Sequence, residues 1–297
     1  MSTVVRAPLC YALVLVVLVA VATARADVAA ALAARCGQVA LFFSDARWRA
    51  ATESVVREWL ALGRGRQTTR DAPHCALVHW WDARNESEIA LCAQRRVWCA
   101  TLSVGATRSQ PWGTARYFAR IAERLPRAAA LLDALPLHAA RGVQLFDSDV
   151  VLWRDIGARA AHATRNATLV VQQEWPCQSA PATLCVNGGV WWVRRSAAGR
   201  ALLREAVRLM RALRVPDQDA LQIVAARAAR GAVHFWPRAT HANGAVALRS
   251  GGGAAFDPRR AHLAHANWLR TFACKQSALR AWRSAQRAAL APECTWW

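Results

Sequence analysis

A chain of 297 residues that is 55% hydrophobic and 20% charged excludes a disordered or low-complexity protein, and suits one large domain or two intimately packed ones. The formal net charge of +20 first points to nucleic acid, but nearly all of the basic charge is arginine scattered along helical stretches, with Lys275 the only lysine. No basic tail or aromatic-interleaved stripe is present, so nucleic acid is set aside as a partner, while a preference for anionic small molecules such as nucleotide diphosphates stands.

The chain opens on a targeting segment. Arg6 precedes an apolar run from Ala7 to Ala24, and Ala24-Arg25-Ala26 fits the small-x-small cleavage pattern of a signal peptide. The run also approaches the about 20 apolar residues that span a bilayer. Residues 1–26 are therefore expected to be a signal peptide or a type II membrane anchor. Either places the remainder in the secretory lumen or outside the cell.

Cysteine usage agrees. Cys10 lies in the apolar segment, and the others are Cys36, Cys75, Cys92, Cys99, Cys177, Cys185, Cys274 and Cys294. An even number in an oxidising compartment reads as disulfides. Cys177 and Cys185 flank a loop and are the first expectation for a local bridge; the rest of the pairing stays open. No C-x-x-C occurs, which disfavours zinc. Asn85-Glu-Ser and Asn166-Ala-Thr are glycosylation acceptors consistent with a lumenal location.

Strand and helix patterns then alternate. Residues 38–43 (QVALFF), 75–81 and 97–103 read as strands, with a helix over 47–62 that ends at Gly63. A long helical stretch covers about 112–135, kinked at Pro126. Residues 142–147 read as the next strand, followed by strands at 168–172 and 189–194. Helices at 197–213 and 217–229 precede a strand at 232–237, a Gly-rich loop at 250–253 and a helical tail over 275–290. Strands alternating with helices imply a mostly parallel sheet flanked by helices, an α/β fold.

The chemistry concentrates at residues 142–153, GVQLFDSDVVLW. Asp147 and Asp149 stand between two apolar runs at a strand's C-terminal end, where open α/β sheets bind ligands. Carboxylates are seldom buried without a partner, and a divalent cation is a suitable one. The competing reading is an acidic turn that caps the following helix. Three later groups bear on the choice. Asn187-Gly188-Gly189 ahead of an apolar strand suggests a tight turn where a ligand approaches closely. In Pro216-Asp217-Gln218-Asp219, Asp217 fits a helix N-cap and leaves Gln218 and Asp219 to face a crevice. His265, in His262-Leu-Ala-His265-Ala-Asn267-Trp268, is either a satisfied core histidine or a third ligand of the same cation.

Taken in order, these motifs resemble the nucleotide-diphospho-sugar transferases, and glycosyltransferase family 77 most closely, with glycogenin-like transferases similar. The resemblance covers roughly residues 38–290. It implies a GT-A fold, with residues 36–297 as a single catalytic domain. It also implies a divalent cation, usually manganese, and sugar transfer from a nucleotide-diphosphate donor with retention of configuration. The acceptor would be a glycan, polysaccharide or glycoprotein, and the compartment the Golgi lumen or the cell exterior.

Carried onto this sequence, the resemblance makes Asp147, Asp149 and His265 the cation ligands. Asn187, Gly188, Gln218 and Asp219 would line the donor-sugar and acceptor pocket, and Lys275 would approach the diphosphate as a compact point charge. Three positions depart from the family pattern: Ser148 where Val is usual, Gly188 where Thr or Ser is usual, and no glycine after Asn267. No catalytic nucleophile or base is assigned. If His265 ligates a cation, only its neutral form does so, and binding should weaken as pH falls through the ordinary histidine range near about 6.5. The rival from another class is a secreted, non-catalytic sugar- or anion-binding protein on a decayed transferase scaffold.

Overall fold

The computed structural model describes residues 28, 31–32, 36–63, 73–81, 90–102, 114–135, 141–156, 167–174, 185–248, 257, 259–284 and 292–294. The targeting segment 1–26, the acceptors Asn85 and Asn166, Cys177 and the Gly-rich piece 250–253 lie outside them.

Continuous apolar runs produce strands buried on both faces. β1 (Gln38–Ser44) and β2 (His74–Trp80) are buried at every position. They join β3 (Val97–Thr101) and β4 (Gly142–Phe146) as parallel neighbours. β5 (Val150–Leu152) turns away from this sheet, and β6 (Leu169–Glu174), β7 (Cys185–Arg194) and β8 (Val233–Trp236) complete it. The seven strands run in the order β3-β2-β1-β4-β7-β6-β8. β7 is antiparallel to both β4 and β6, while β6 and β8 are parallel. The expected mostly parallel sheet is therefore present, with one reversed strand at its centre.

Alternation along each strand sends side chains to opposite faces. Leu41, Leu77, Leu145 and Trp191 pack on one side. There they meet α3 (Arg124–Ala134), α4 (Ala197–Leu213) and α5 (Asp217–Arg227). Phe42, Val78, Phe146 and Trp192 pack on the other side against Val55, Val56 and Trp59 of α1 (Arg49–Leu62). α1 is entered through a 3-10 turn, Ala46–Trp48, in which the Asp45 carboxylate accepts the Trp48 backbone N–H.

Two expectations change here. The long helix expected over 112–135 is two helices, α2 (Ala115–Ile121) and α3, which part ahead of Pro126 rather than at it. Pro126 sits in the first turn of α3, where its missing N–H forfeits no intrahelical bond. Asn187-Gly188-Gly189 is not a turn but the interior of β7. Asp147 N–H donates to the Gly189 carbonyl at 2.8 Å, so the ladder with β4 continues through the glycines.

Three short strands went unread in the sequence. β5, β9 (His241–Asn243) and β10 (Leu263–His265) form a second sheet in the order β5-β10-β9. Three residues are too few to display a period of two. α6 (Gly244–Leu248) follows β9. α7 (Phe272–Arg283) begins before the expected residue 275, because Thr271 accepts the Cys274 N–H and caps it. Disulfides join Cys36 to Cys75, Cys92 to Cys99 and Cys274 to Cys294. Cys185 is also disulfide-bonded, while its expected partner Cys177 lies outside the described residues. Among the described residues no helix is long and apolar enough to cross a membrane.

Candidate functional site

β4 delivers Asp147-Ser148-Asp149 at its C-terminal end. The Ser148 hydroxyl donates to the Phe43 carbonyl at 2.8 Å and accepts from the Thr52 hydroxyl at 2.9 Å. The middle residue is thus tied to β1 and α1. The Asp149 carbonyl accepts the Ala266 N–H at 2.8 Å, which docks the end of β10 onto the same turn.

That docking brings in His265. Its Nε2 lies 3.1 Å from Asp149 Oδ1 and 3.5 Å from Asp147 Oδ2. Its Nδ1 lies 3.1 Å from Gln172 Oε1 on β6. Gln172 Nε2 in turn donates to the His241 carbonyl at 3.2 Å, which fixes the amide's orientation. An amide oxygen only accepts, so Nδ1 carries a proton; without a cation Nε2 is protonated as well and donates to Asp149, and once that proton leaves, the Nε2 lone pair faces the space between the carboxylates. Gly189 makes the approach possible: a Cβ there would lie 2.2 Å from Asp147 Oδ2 and 2.5 Å from His265 Cε1.

One ligand atom each from Asp147, Asp149 and His265 lies within 4.8 Å of the others. Two hard carboxylate oxygens and one imidazole nitrogen, with that imidazole held from behind, form a donor set that fits a divalent cation.

Cationic side chains frame the carboxylates. Lys275 Nζ is 2.6 Å from Asp149 Oδ2, so the lone lysine reaches the cluster from α7. Arg124, buried on α3, places a terminal nitrogen 3.0 Å from Asp147 Oδ1 and also donates to the Gly188 carbonyl. Its Nε is 3.3 Å from Asp217 Oδ2, but neither atom has a hydrogen-bond partner, so this contact is an ion pair without a hydrogen bond.

These charges set the protonation of the site. Burial works to raise the Asp149 carboxyl, but Lys275 and His265 outweigh it and hold the group well below the usual range. For Asp147 burial is likewise outweighed, by Arg124 and His265. Burial opposes the imidazolium of His265, yet the Asp149 and Asp147 carboxylates raise it to about 9. Burial pushes Asp217 up to about 6, Arg124 resisting and Asp147 adding to the rise.

The sequence-expected residues fall into two groups. Asp147, Asp149, His265 and Lys275 come together in one cluster. Gln218 lies beside it: its Oε1 accepts the Gly188 N–H at 2.8 Å. The side chain of Asn187 is engaged within the protein, its Oδ1 accepting from Gly189 N–H at 2.9 Å and its Nδ2 donating to Glu174. Asp219 is exposed, and among the described residues no hydrogen bond or ion pair joins it to the cluster. Asp217 is not the helix cap it was expected to be. Pro216 holds that position, and the buried Asp217 faces Arg124. Arg124, Gln172, Glu174 and Gly189 were missed. The run Gln172-Gln173-Glu174 at the end of a buried strand was the available signal.

No protein-family model matches the chain, and no curated protein matches its sequence. Solved structures do. The galactosyltransferase LgtC, in complex with donor and acceptor sugar analogues, is 12% identical with a TM-score of 0.56, covering 86% of this chain and 98% of that one. An active-site glutamine-to-glutamate mutant of LgtC gives 12% identity and a TM-score of 0.55 over the same shares, 86% and 98%. Mouse xyloside xylosyltransferase 1 is 13% identical at a TM-score of 0.48, covering 78% and 98%. At such identities the likeness is one of fold: the chain has the GT-A-like fold of nucleotide-sugar glycosyltransferases.

Proposed function

We propose that the protein is a glycosyltransferase that requires a divalent cation, manganese in the first instance. It moves a sugar from a nucleotide-diphosphate donor, first a UDP-sugar, to a hydroxyl of a glycan, polysaccharide or glycoprotein, with retention of configuration. The observation that carries this reading is the convergence of Asp147, Asp149 and His265 within 4.8 Å, at the C-terminal ends of β4 and β10 in a GT-A-like fold. The donor and acceptor analogues bound by LgtC support both substrate classes. Kinship with family 77 rests on the order of the motifs.

The bound cation would supply Lewis-acid stabilisation of the charge that builds on the departing diphosphate. The protein's own groups complete that environment. Asp147, Asp149 and neutral His265 would hold the cation, with Gln172 keeping the imidazole in the required tautomer. Lys275, half-buried against Asp149, is a fixed positive charge within reach of a diphosphate. Arg124 steadies the Asp147 carboxylate and, through Gly188, the strand that faces Gln218. A retaining transfer needs no separate general base.

Residues 1–26 would carry the chain into the secretory pathway, as a Golgi type II membrane protein or a secreted one. The formed disulfides support an oxidising compartment. A panel of nucleotide sugars, with and without manganese and scored by nucleotide release, tests the proposal. Manganese-dependent release from one donor is expected. Tight sugar binding without release from any donor would favour the non-catalytic alternative.

A further inference from the structure

Glu174 ends β6 with 7% of its surface exposed. Its carboxylate gathers side-chain N–H groups from three other elements. Asn243 Nδ2 of β9 donates at 3.3 Å, and Asn267 Nδ2, after β10, lies 3.2 Å from each oxygen. Asn187 Nδ2 of β7 and Trp268 Nε1 donate as well. Each asparagine spends its amide oxygen on the backbone: Asn187 on Gly189 N at 2.9 Å, Asn243 on Val246 N at 3.0 Å, Asn267 on Gly244 N at 3.0 Å. All three amides are therefore locked with nitrogen toward Glu174. An ionised carboxylate only accepts, which matches a ring of donors.

The groups held this way are those that shape the cation cluster. Gly189 lies against Asp147 and His265. Asn267 stands two residues beyond His265, and its carbonyl packs so closely on Gly244 that a Cβ there would approach to 1.9 Å. Trp268 takes a φ of 64°, a left-handed conformation that favours glycine. A non-glycine residue keeps it only when its surroundings impose it. The bond from the indole to Glu174 is such an imposition. From Trp268 the chain passes to the Thr271 cap and α7, which bears Lys275.

We propose that Glu174 is a positioning residue for the cation and diphosphate site, an inference that rests on the function proposed above. It clamps the turn at Asn267 and Trp268, so that the His265 imidazole and the Lys275 ammonium reach Asp149 together. Glu174 itself contacts neither the cation nor the donor.

The test uses the full chain and reads manganese affinity without donor, from the electron paramagnetic resonance of the free ion, beside donor KM, kcat and thermal midpoint. Trp268→Phe keeps an aromatic ring and removes the indole N–H; manganese Kd should rise about fivefold, as for one lost hydrogen bond. Glu174→Gln turns an amide against the donors; Kd should rise about 10- to 100-fold, the usual cost of an outer partner of a metal ligand. Glu174→Asp, charged but shorter, should fall between wild type and Glu174→Gln. The double variant should be no worse than Glu174→Gln alone, and saturating manganese should restore turnover in Trp268→Phe. Unmoved manganese Kd in Trp268→Phe and in the Glu174 variants, with or without a lower thermal midpoint, overturns the positioning role while leaving the proposed function intact. A wild-type protein that does not bind manganese overturns the reading of the site itself.

Discussion

His265 and Gln172 meet through Nδ1 and Oε1 at 3.1 Å, and this bond decides which ring nitrogen faces Asp147 and Asp149. Gln172 is fully buried and 93 residues away in sequence, so the tautomer at the site is a product of the tertiary fold.

Gln172→Met keeps the length of the side chain and removes the acceptor. The ring is then free to rotate, and its neutral form is free to keep its proton on Nε2. Manganese affinity should fall about 10- to 100-fold, the range found when an outer partner of a metal ligand is lost. The fold should persist, because Met fills the same volume. Titration calorimetry with manganese, beside a circular-dichroism spectrum, checks both halves. Unchanged affinity would remove Gln172 from the site's support.

The state of His265 in the cation-free protein follows from its neighbours. Asp149 and Asp147 outweigh burial and raise the imidazole from 6.5 to about 9, above the ordinary value assumed from sequence. A raised folded-state value means stability that is complete below about 6.5 and is lost as pH rises through about 9. Cation-free wild type should therefore exceed His265→Gln in thermal midpoint at pH 6, and the gap should close toward pH 10. Manganese must displace this proton, so its apparent affinity should climb with pH up to about 9. A gap independent of pH would show that the imidazole is not charged by these carboxylates.

Arg124, on α3, joins Asp147 at the end of β4 to Asp217 at the start of α5. Arg124→Met leaves the buried Asp217 carboxylate without its counter-charge. Breaking a buried pair in this way costs about 3–5 kcal/mol. Asp217 is already pushed up to about 6, so protonation relieves the loss at low pH. The defect in urea unfolding should be larger at pH 8 than at pH 5. An equal defect at both would place the cost in lost packing.

Much of this was legible in the sequence, for physical reasons that also mark where reading failed. Asp147 and Asp149 stood out because two carboxylates between apolar runs need a partner, and the structure supplies Lys275, Arg124 and His265. Arg124 gave no signal: it is one arginine among many, and only folding brings α3 beneath β4. The glycines at 188 and 189 read as a turn because glycine usually punctuates. Within β7 they serve close approach instead, Gly189 to Asp147 and His265, Gly188 to Gln218. β5, β9 and β10 each have three residues, so the small sheet that carries His265 had no visible period.

The central claim is that the cluster at the end of β4 holds a cation used in sugar transfer, and Asp149→Ala tests it most directly. Asp149 is the carboxylate that meets both His265 and Lys275, at 3.1 and 2.6 Å. The measurement is nucleotide release from the accepted donor across a manganese titration, wild type against variant, with folding checked by circular dichroism. The account predicts a folded variant with no manganese-stimulated release at any concentration. Full manganese-dependent turnover in Asp149→Ala would contradict it.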